Sequence, residues 1–297
     1  MFVSGVTCAV AYDGVRRNDG WLAVIGHTLR RGWEIYAAFL ILTIACVTMV
    51  HLAGKDQFGD VTNTRIVLDQ PGEAIVRALI LQYRPVNTDV LPTFVLFHLL
   101  FAPLLWLLLK APNLTLAMSF VVYLLVQIFG WNLREWPRND WYFNPFAWQL
   151  LVVLGAWWAT GGKTLLWRLV TTRAATTVAA MYVLFSLIVT LGWDFKSLES
   201  LIPQPLAQLI YPVNKPDLDP LRLLHFLALA LLVAKFVRPD WQVLTGSGLR
   251  PAIRCGENSL DVYCVGVVLA LVAHIVLETV SRVIAMQVLL SIGGMPF

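Results

Sequence analysis

Seven apolar stretches, each near the length of a membrane-crossing helix, dominate this sequence: Trp33 to Ala53, Leu91 to Leu109, Leu114 to Trp131, Pro145 to Ala159, Ala174 to Trp193, Leu221 to Val237 and Leu260 to Glu278. A bilayer core of ~30 Å takes roughly 20 residues of helix, and backbone inside it must satisfy its own hydrogen bonds. Little else is available to build with: of 297 residues, 58% are apolar and 13% charged, and the mean hydropathy is +0.71. That balance excludes a soluble domain of this size. The stretches lack the period-two alternation of a membrane barrel. The expected fold is all-α, a polytopic transmembrane bundle of about eight or nine spans with partial ones at the termini, forming one domain over residues 1–297.

The termini are less complete. Met1 to Tyr12 is apolar but reaches Asp13 after a run worth about 18 Å of helix, too short to cross unaided. It has neither the basic leader nor the small-residue cleavage site of a signal peptide, so it reads as the retained inner part of a helix. Val283 to Ile292 is either a short last span or a segment lying against the bundle.

Basic residues orient the bundle. If Met1 to Tyr12 runs inward, the cytoplasmic connections carry Arg16, Arg17, Arg30, Arg31, Lys110, Lys163, Arg168, Arg173, Lys235, Arg238, Arg250 and Arg254. Only Asp13, Asp19, Asp240 and Glu257 oppose them. The other connections, around 54–90, 132–144 and 194–220, hold eight basic residues against eleven acids, with Arg138, Asp194, Lys196 and Glu199 among them. The positive-inside rule favours this arrangement and places the second set outside. The net charge of +4 is a topology signal and gives no reason to invoke nucleic acid.

Half of the twelve tryptophans lie between Trp131 and Trp158, in WNLREWPRNDWYFNPFAWQLLVVLGAWW. An indole gains at a bilayer interface by keeping its ring in lipid and its N–H in the headgroup layer, which describes an aromatic belt. Indole faces also stack on sugar rings, so Trp136, Trp141 and Tyr142 are candidates to flank a carbohydrate.

Ionisable groups in or beside spans cost free energy to bury and therefore point to partners or function. In YRPVNTDVLPTFVLFHLL, Asp89 stands where it could cap a helix, beside Asn87, while His98 is either a hydrogen-bonded imidazole or a proton carrier. In DLDPLRLLHFLALALL, Arg222 and His225 share a helix face, with Asp217 and Asp219 placed to supply counter-charge or, alternatively, an anion or sugar bound by Arg222. In RCGENSLDVYCVGVVLAL, Asn258 or Ser259 is expected to cap a helix opening at Leu260. Arg30 and Arg31 stand at the cytoplasmic end of a span beside Trp33, as an anchor or as a clamp for the phosphates of a nucleotide-bearing donor. The four cysteines show no CxxC spacing, and no metal cluster, phosphate loop or hydrolase elbow is present in the sequence.

The runs NTDVLP, FNPFAWQLLVVLGAWW, DPLRLLHFLALALL and GENSLDVYCVGVVLAL, in that order, resemble the OpgC family of the membrane acyltransferase-three superfamily over nearly the whole chain. The resemblance implies a bacterial inner-membrane, multi-pass O-acyltransferase. It implies an acyl-CoA donor, succinyl-CoA in the family's best-known role, used as substrate with no resident cofactor. The acceptor would be a periplasmic glucan hydroxyl. Arg30 and Arg31 then serve donor binding, and Asn87, Asp89, Arg222, His225, Trp136, Trp141 and Tyr142 the acceptor side. Family members carry one more span before the segment resembling FVSG, with a membrane-embedded histidine as general base. Here Met1 adjoins FVSG, so no residue inherits that role and the catalytic residue is unassigned; His27, His51 and His274 stand in other contexts. Competing classes are a transporter or flippase of a sugar-containing substrate, and an inactive shortened remnant.

Overall fold

The computed structural model describes residues 1–137, 139–162, 164, 167, 170, 172–192, 213–237, 241, 246–280 and 283–293. These are almost entirely helical. The principal helices are α1 (Phe2–Phe58), α2 (Arg65–Asp69), α3 (Pro71–Leu79), α4 (Val90–Leu99), α5 (Phe101–Lys110), α6 (Pro112–Phe129), α7 (Pro145–Trp157), α8 (Arg173–Leu191), α9 (Pro220–Phe236), α10 (Arg250–Glu257), α11 (Ser259–Thr279) and α12 (Ile284–Gly293). The extended exception is a two-stranded antiparallel hairpin, β1 (Arg134–Glu135) with β2 (Asn139–Asp140), pairing Arg134 with Asp140 and Glu135 with Asn139. Of the charges used for orientation, Lys163, Arg168, Arg238, Asp240, Arg138, Asp194, Lys196 and Glu199 lie outside the described residues, as does Trp193 at the end of one expected span.

The number of spans is smaller than expected. Among the described residues four helices are long and apolar enough to cross a membrane, namely the Phe2–Gly54 part of α1, α6, α8 and α11, or five if α4 and α5 together make one. Three physical causes account for the difference from eight or nine. Phe2 to Tyr12 and Trp33 to Ala53 both lie within the bounds of α1, with the positive φ of Gly20 between them. The polar residues between them stay helical because Asp13 pairs with Arg16 at 2.8 Å and Arg17 at 2.5 Å, one turn along the same face. The expected span Leu91 to Leu109 breaks at Leu100, since Pro103 cannot donate to the Leu99 carbonyl and its ring crowds it. Finally, α7, α9 and α12 have 13, 17 and 10 residues, roughly 20, 26 and 15 Å of helix, short of a ~30 Å core.

The chain packs as two compact units, each assembled from separated segments. The first comprises Met1–Gly20, Pro103–Asn132 and Tyr142–Leu244. Its centre is formed by Tyr123 and Val126 of α6, Ala147, Leu150 and Leu151 of α7, and Leu218 and Leu223. Here α1 and α7 approach so closely that a Cβ on Gly5 would lie 2.1 Å from the Val152 carbonyl oxygen, and one on Gly155 would lie 2.1 Å from that of Phe2. Such small-residue contacts let helix backbones meet where lipid, being apolar itself, supplies no hydrophobic drive for association.

The second unit comprises Trp21–Ala102, Leu133–Trp141 and Thr245–Phe297. Ile35, Phe39, Leu42, Cys46 and Val50 fall at three- and four-residue intervals along one face of α1. They pack with Phe58, Leu91 and Val95, and with Val267 and Leu271 of α11. The boundary falls after Gly20, whose φ of +85° interrupts the regular helix and favours glycine.

These backbone contacts order a pair of variants. Gly5→Ala is expected to cost about 1–3 kcal/mol by overpacking against α7. Gly14→Ala, where a Cβ meets no atom within 4 Å, is expected to stabilise by about 0.5–1 kcal/mol through helix propensity. Thermal unfolding in detergent should rank Gly14→Ala above the parent and Gly5→Ala below it.

Candidate functional site

In the first unit, α7, α8, α9 and the turn before α9 enclose a cavity of about 430 Å³. Each helix contributes one face. Trp148 and Leu151 come from α7; Tyr182, Phe185, Ser186 and Val189 from α8; and Leu221, Arg222, His225, Phe226 and Leu229 from α9. The three- and four-residue spacings explain why these side chains converge. The Tyr182 hydroxyl donates to the Leu221 carbonyl at 2.9 Å, tying α8 to the first turn of α9.

The start of α9 is held by a polar node. Asn144, fully buried, caps α7 by accepting from the Phe146 N–H at 3.1 Å. Its amide donates to the Trp131 carbonyl at 2.6 Å and to an Asp217 oxygen at 2.7 Å. The other Asp217 oxygen accepts from the Asn214 amide at 2.7 Å. Asp219 caps α9, accepting from the Leu221 N–H at 2.9 Å and the Asn214 N–H at 3.3 Å.

This arrangement corrects one expectation from the sequence. Asp217 and Asp219 do not neutralise Arg222, because amide and helix N–H donors already engage them. Among the described residues no carboxylate lies within salt-bridge distance of Arg222. Its Nη1 donates to the Lys215 carbonyl at 3.2 Å, and its guanidinium stands 5.9 Å from the centroid of Trp148. Trp148 is itself fixed by its indole N–H, which donates to the Pro216 carbonyl at 2.8 Å. His225 lines the same cavity, and its buried Nδ1 has no hydrogen-bond partner among the described residues. Arg222 and His225 therefore offer a guanidinium and an imidazole from adjacent turns of one helix to one largely apolar space.

A different cluster forms in the second unit. Arg84, with a fully buried side chain, places Nη2 2.7 Å from Glu135 Oε2 and Nε 3.1 Å from Asp89 Oδ1. The Asp89 contact is a charge pairing without in-line hydrogen-bond geometry, and Nη1 is likewise without a hydrogen-bond partner. The Trp141 ring covers Arg84, with the guanidinium 4.8 Å from its centroid. Trp136 meets Tyr83 edge-on at 6.2 Å, and its backbone N–H donates to the Gln82 carbonyl. Asn87 has a φ of +69°, and its carbonyl accepts from the Tyr263 hydroxyl.

Of the acceptor-side candidates, Asp89 and Trp141 thus meet at an arginine that the sequence did not single out, while Trp136 is held by Tyr83 and Gln82 and Asn87 by Tyr263. Asp89 precedes α4 but makes no side-chain cap, because the buried Arg84 attracts its carboxylate instead. Asn258 likewise makes no cap at α11, which opens at Ser259; its amide donates back to the Arg254 carbonyl. Trp141 is only 3% exposed and its face is occupied by Arg84. Tyr142 belongs to the first unit, is exposed, and packs edge-on to Phe143 at 5.2 Å. His98 is hydrogen-bonded through Nδ1 to the Phe94 carbonyl at 2.9 Å.

Residues 1–297 match the OpgC protein family over their whole length. The chain belongs to the OpgC family. No curated protein and no solved structure matches it. In this OpgC family member, Arg30 and Arg31 both pair with Glu34, at 3.1 and 2.9 Å. Sequence reasoning missed that counter-charge although it lies one helical turn away. It also missed Trp148, which sits inside an apolar run and reads as lipid-facing, and Arg84 with Glu135, whose loop positions suggest exposure. The available hint was the aromatic company of Tyr83, Trp136 and Trp141.

Burial raises the pKa values of Asp89 and Glu135, with the Arg84 charge opposing the rise at both and Asp89 adding to it at Glu135. Each carboxyl therefore holds its proton more tightly in the folded chain than in the unfolded one. The associated stability is full below the ordinary carboxyl range and is lost as pH rises through the raised values. Arg84→Met removes the opposing charge. It is expected to cost about 3–5 kcal/mol at pH 8, where the carboxylates are left buried and unpaired, and less at pH 5. Unfolding in detergent at the two pH values measures the difference.

Proposed function

We propose that this chain is a membrane O-acyltransferase that moves an acyl group, succinyl in the preferred case, from a CoA thioester to a hydroxyl of a periplasmic glucan. Membership of the OpgC family supports the reaction class. The apolar helices support a place in the membrane, the basic-residue bias favours an orientation with the tryptophan-rich loop outside, and the family resemblance supports the bacterial inner membrane. The observation that carries the site is the presence of Arg222 and His225 in one cavity, with no carboxylate among the described residues within salt-bridge distance of the arginine.

The chemistry is a displacement at the thioester carbonyl. The hydroxyl oxygen bonds to the acyl carbon, the C–S bond breaks, and the hydroxyl proton ends on the departing CoA thiol. Donors that meet the developing oxyanion lower the barrier. Arg30 and Arg31 receive the phosphates of the donor. Asn87 and Asp89 serve the acceptor side, and Trp136 and Tyr142 border the glucan path; Arg222 and His225, acceptor-side candidates in the sequence, face a largely apolar cavity that suits the acyl group better, and Trp141 is taken up by Arg84. Acyl-CoA is a substrate in this scheme, with no resident cofactor.

The test is thioester-dependent acylation of glucan by the purified chain in nanodiscs. Transfer is expected with the parent, and a loss of about tenfold or more with Arg222→Ala and with the double variant Arg30→Ala, Arg31→Ala at equal expression. Movement of a glycan across vesicles without acyl transfer would replace this reading with transport. Absence of both would favour an inactive chain.

A further inference from the structure

The lining of the α7–α8–α9 cavity carries a statement about its ligand that the acyltransferase reading does not contain. A site built for the polyhydroxyl body of a sugar would present many hydrogen-bonding side chains. Among the described residues this one presents mainly hydrocarbon, with Leu151, Phe185, Val189 and Leu229 along its walls; the hydroxyls of Tyr182 and Thr190 already donate to the Leu221 and Ser186 carbonyls, and the cationic residues Lys215 and Arg222 stand near the start of α9. Arg222 is oriented by the Lys215 carbonyl and by Trp148. The two nearest acids in sequence, Asp217 and Asp219, are taken up by Asn144, Asn214 and the α9 N-terminus. His225 Nδ1 is buried in the same wall with no hydrogen-bond partner among the described residues.

A guanidinium beside hydrocarbon lacks the solvation of bulk water and gains strongly from a fixed anion. The geometry points to a ligand with one anionic group on an apolar body. We propose that this cavity binds such a molecule, its carboxylate or phosphate lying between Arg222 and His225 and its hydrocarbon lying along Leu151, Phe185, Val189 and Leu229. Two sources supply that chemistry: an acyl group that carries its own terminal carboxylate, and an anionic lipid of the surrounding bilayer. The first source rests on the acyltransferase reading; binding itself does not.

The full chain in zwitterionic nanodiscs is titrated with octanoate and with octan-1-ol, using empty discs as the blank. Octanoate is expected to bind about tenfold or more tightly than the alcohol. Arg222→Gln should abolish that preference, and Arg222→Lys should retain part of it in a chain of equal thermal stability. Equal binding of octanoate and octanol by the parent, or an unchanged preference in a folded Arg222→Gln chain, overturns the proposal.

Two further arms identify the source. Competition by phosphatidylglycerol added to the discs assigns the cavity to lipid. A preference for transferring a carboxylate-ended acyl group over an acetyl group, lost in Arg222→Gln, assigns it to the acyl substrate. Selective octanoate binding in a chain that transfers no acyl group supports the cavity assignment and removes the acyltransferase reading.

Discussion

The first unit depends on the full hydrogen-bonding of one amide. Asn144 is wholly buried, and its oxygen and nitrogen bind three parts of the chain: the first turn of α7, the Trp131 carbonyl and the Asp217 carboxylate. An unpaired amide at that depth would cost on the order of 1–3 kcal/mol, so the three partners specify one another's positions. Two consequences follow for the cavity. The Asp217 side chain is anchored on its own side of the turn, and the neighbouring carbonyls of Lys215 and Pro216 are left to orient Arg222 and Trp148.

The second unit uses a buried ion cluster where the first uses neutral amides. Arg84 joins the segment before α4 to the β1–β2 hairpin through Asp89 and Glu135, under the lid of Trp141. Such clusters add little net stability compared with a well-packed apolar core, but they penalise any partial disassembly. A short hairpin with few backbone pairs gains its position from that penalty. Trp136 and Trp141 stand in fixed places because their loop is pinned at Arg84.

The helical class was legible because it follows from composition and segment length alone. The convergence of Arg222 and His225 was legible too, since a spacing of three places both on one helix face. Span number was less so: Pro103 sits in a run of leucines whose hydropathy conceals the break, and the ion pairs of Asp13 make helix out of residues whose polarity reads as a connection. The partners of Asp89, Asp217 and Asp219 were hidden for a related reason. Proximity in sequence suggests a cap or a counter-ion, but the outcome depends on donors brought in from distant segments, Arg84 and Asn144 among them.

Glu34 changes what the arginine pair on α1 can be. With Arg30 and Arg31 sharing one carboxylate, the group presents a net charge nearer +1 than +2, and both cations already have a partner. A phosphate arriving there would have to enter by exchange, displacing an internal rival whose own attachment is weak because it is half-exposed to solvent. Exchange of like charges releases less free energy than filling an empty cation, because the pairs to Glu34 are lost as the new ones form. Such a patch suits a ligand that must be handed on rather than kept.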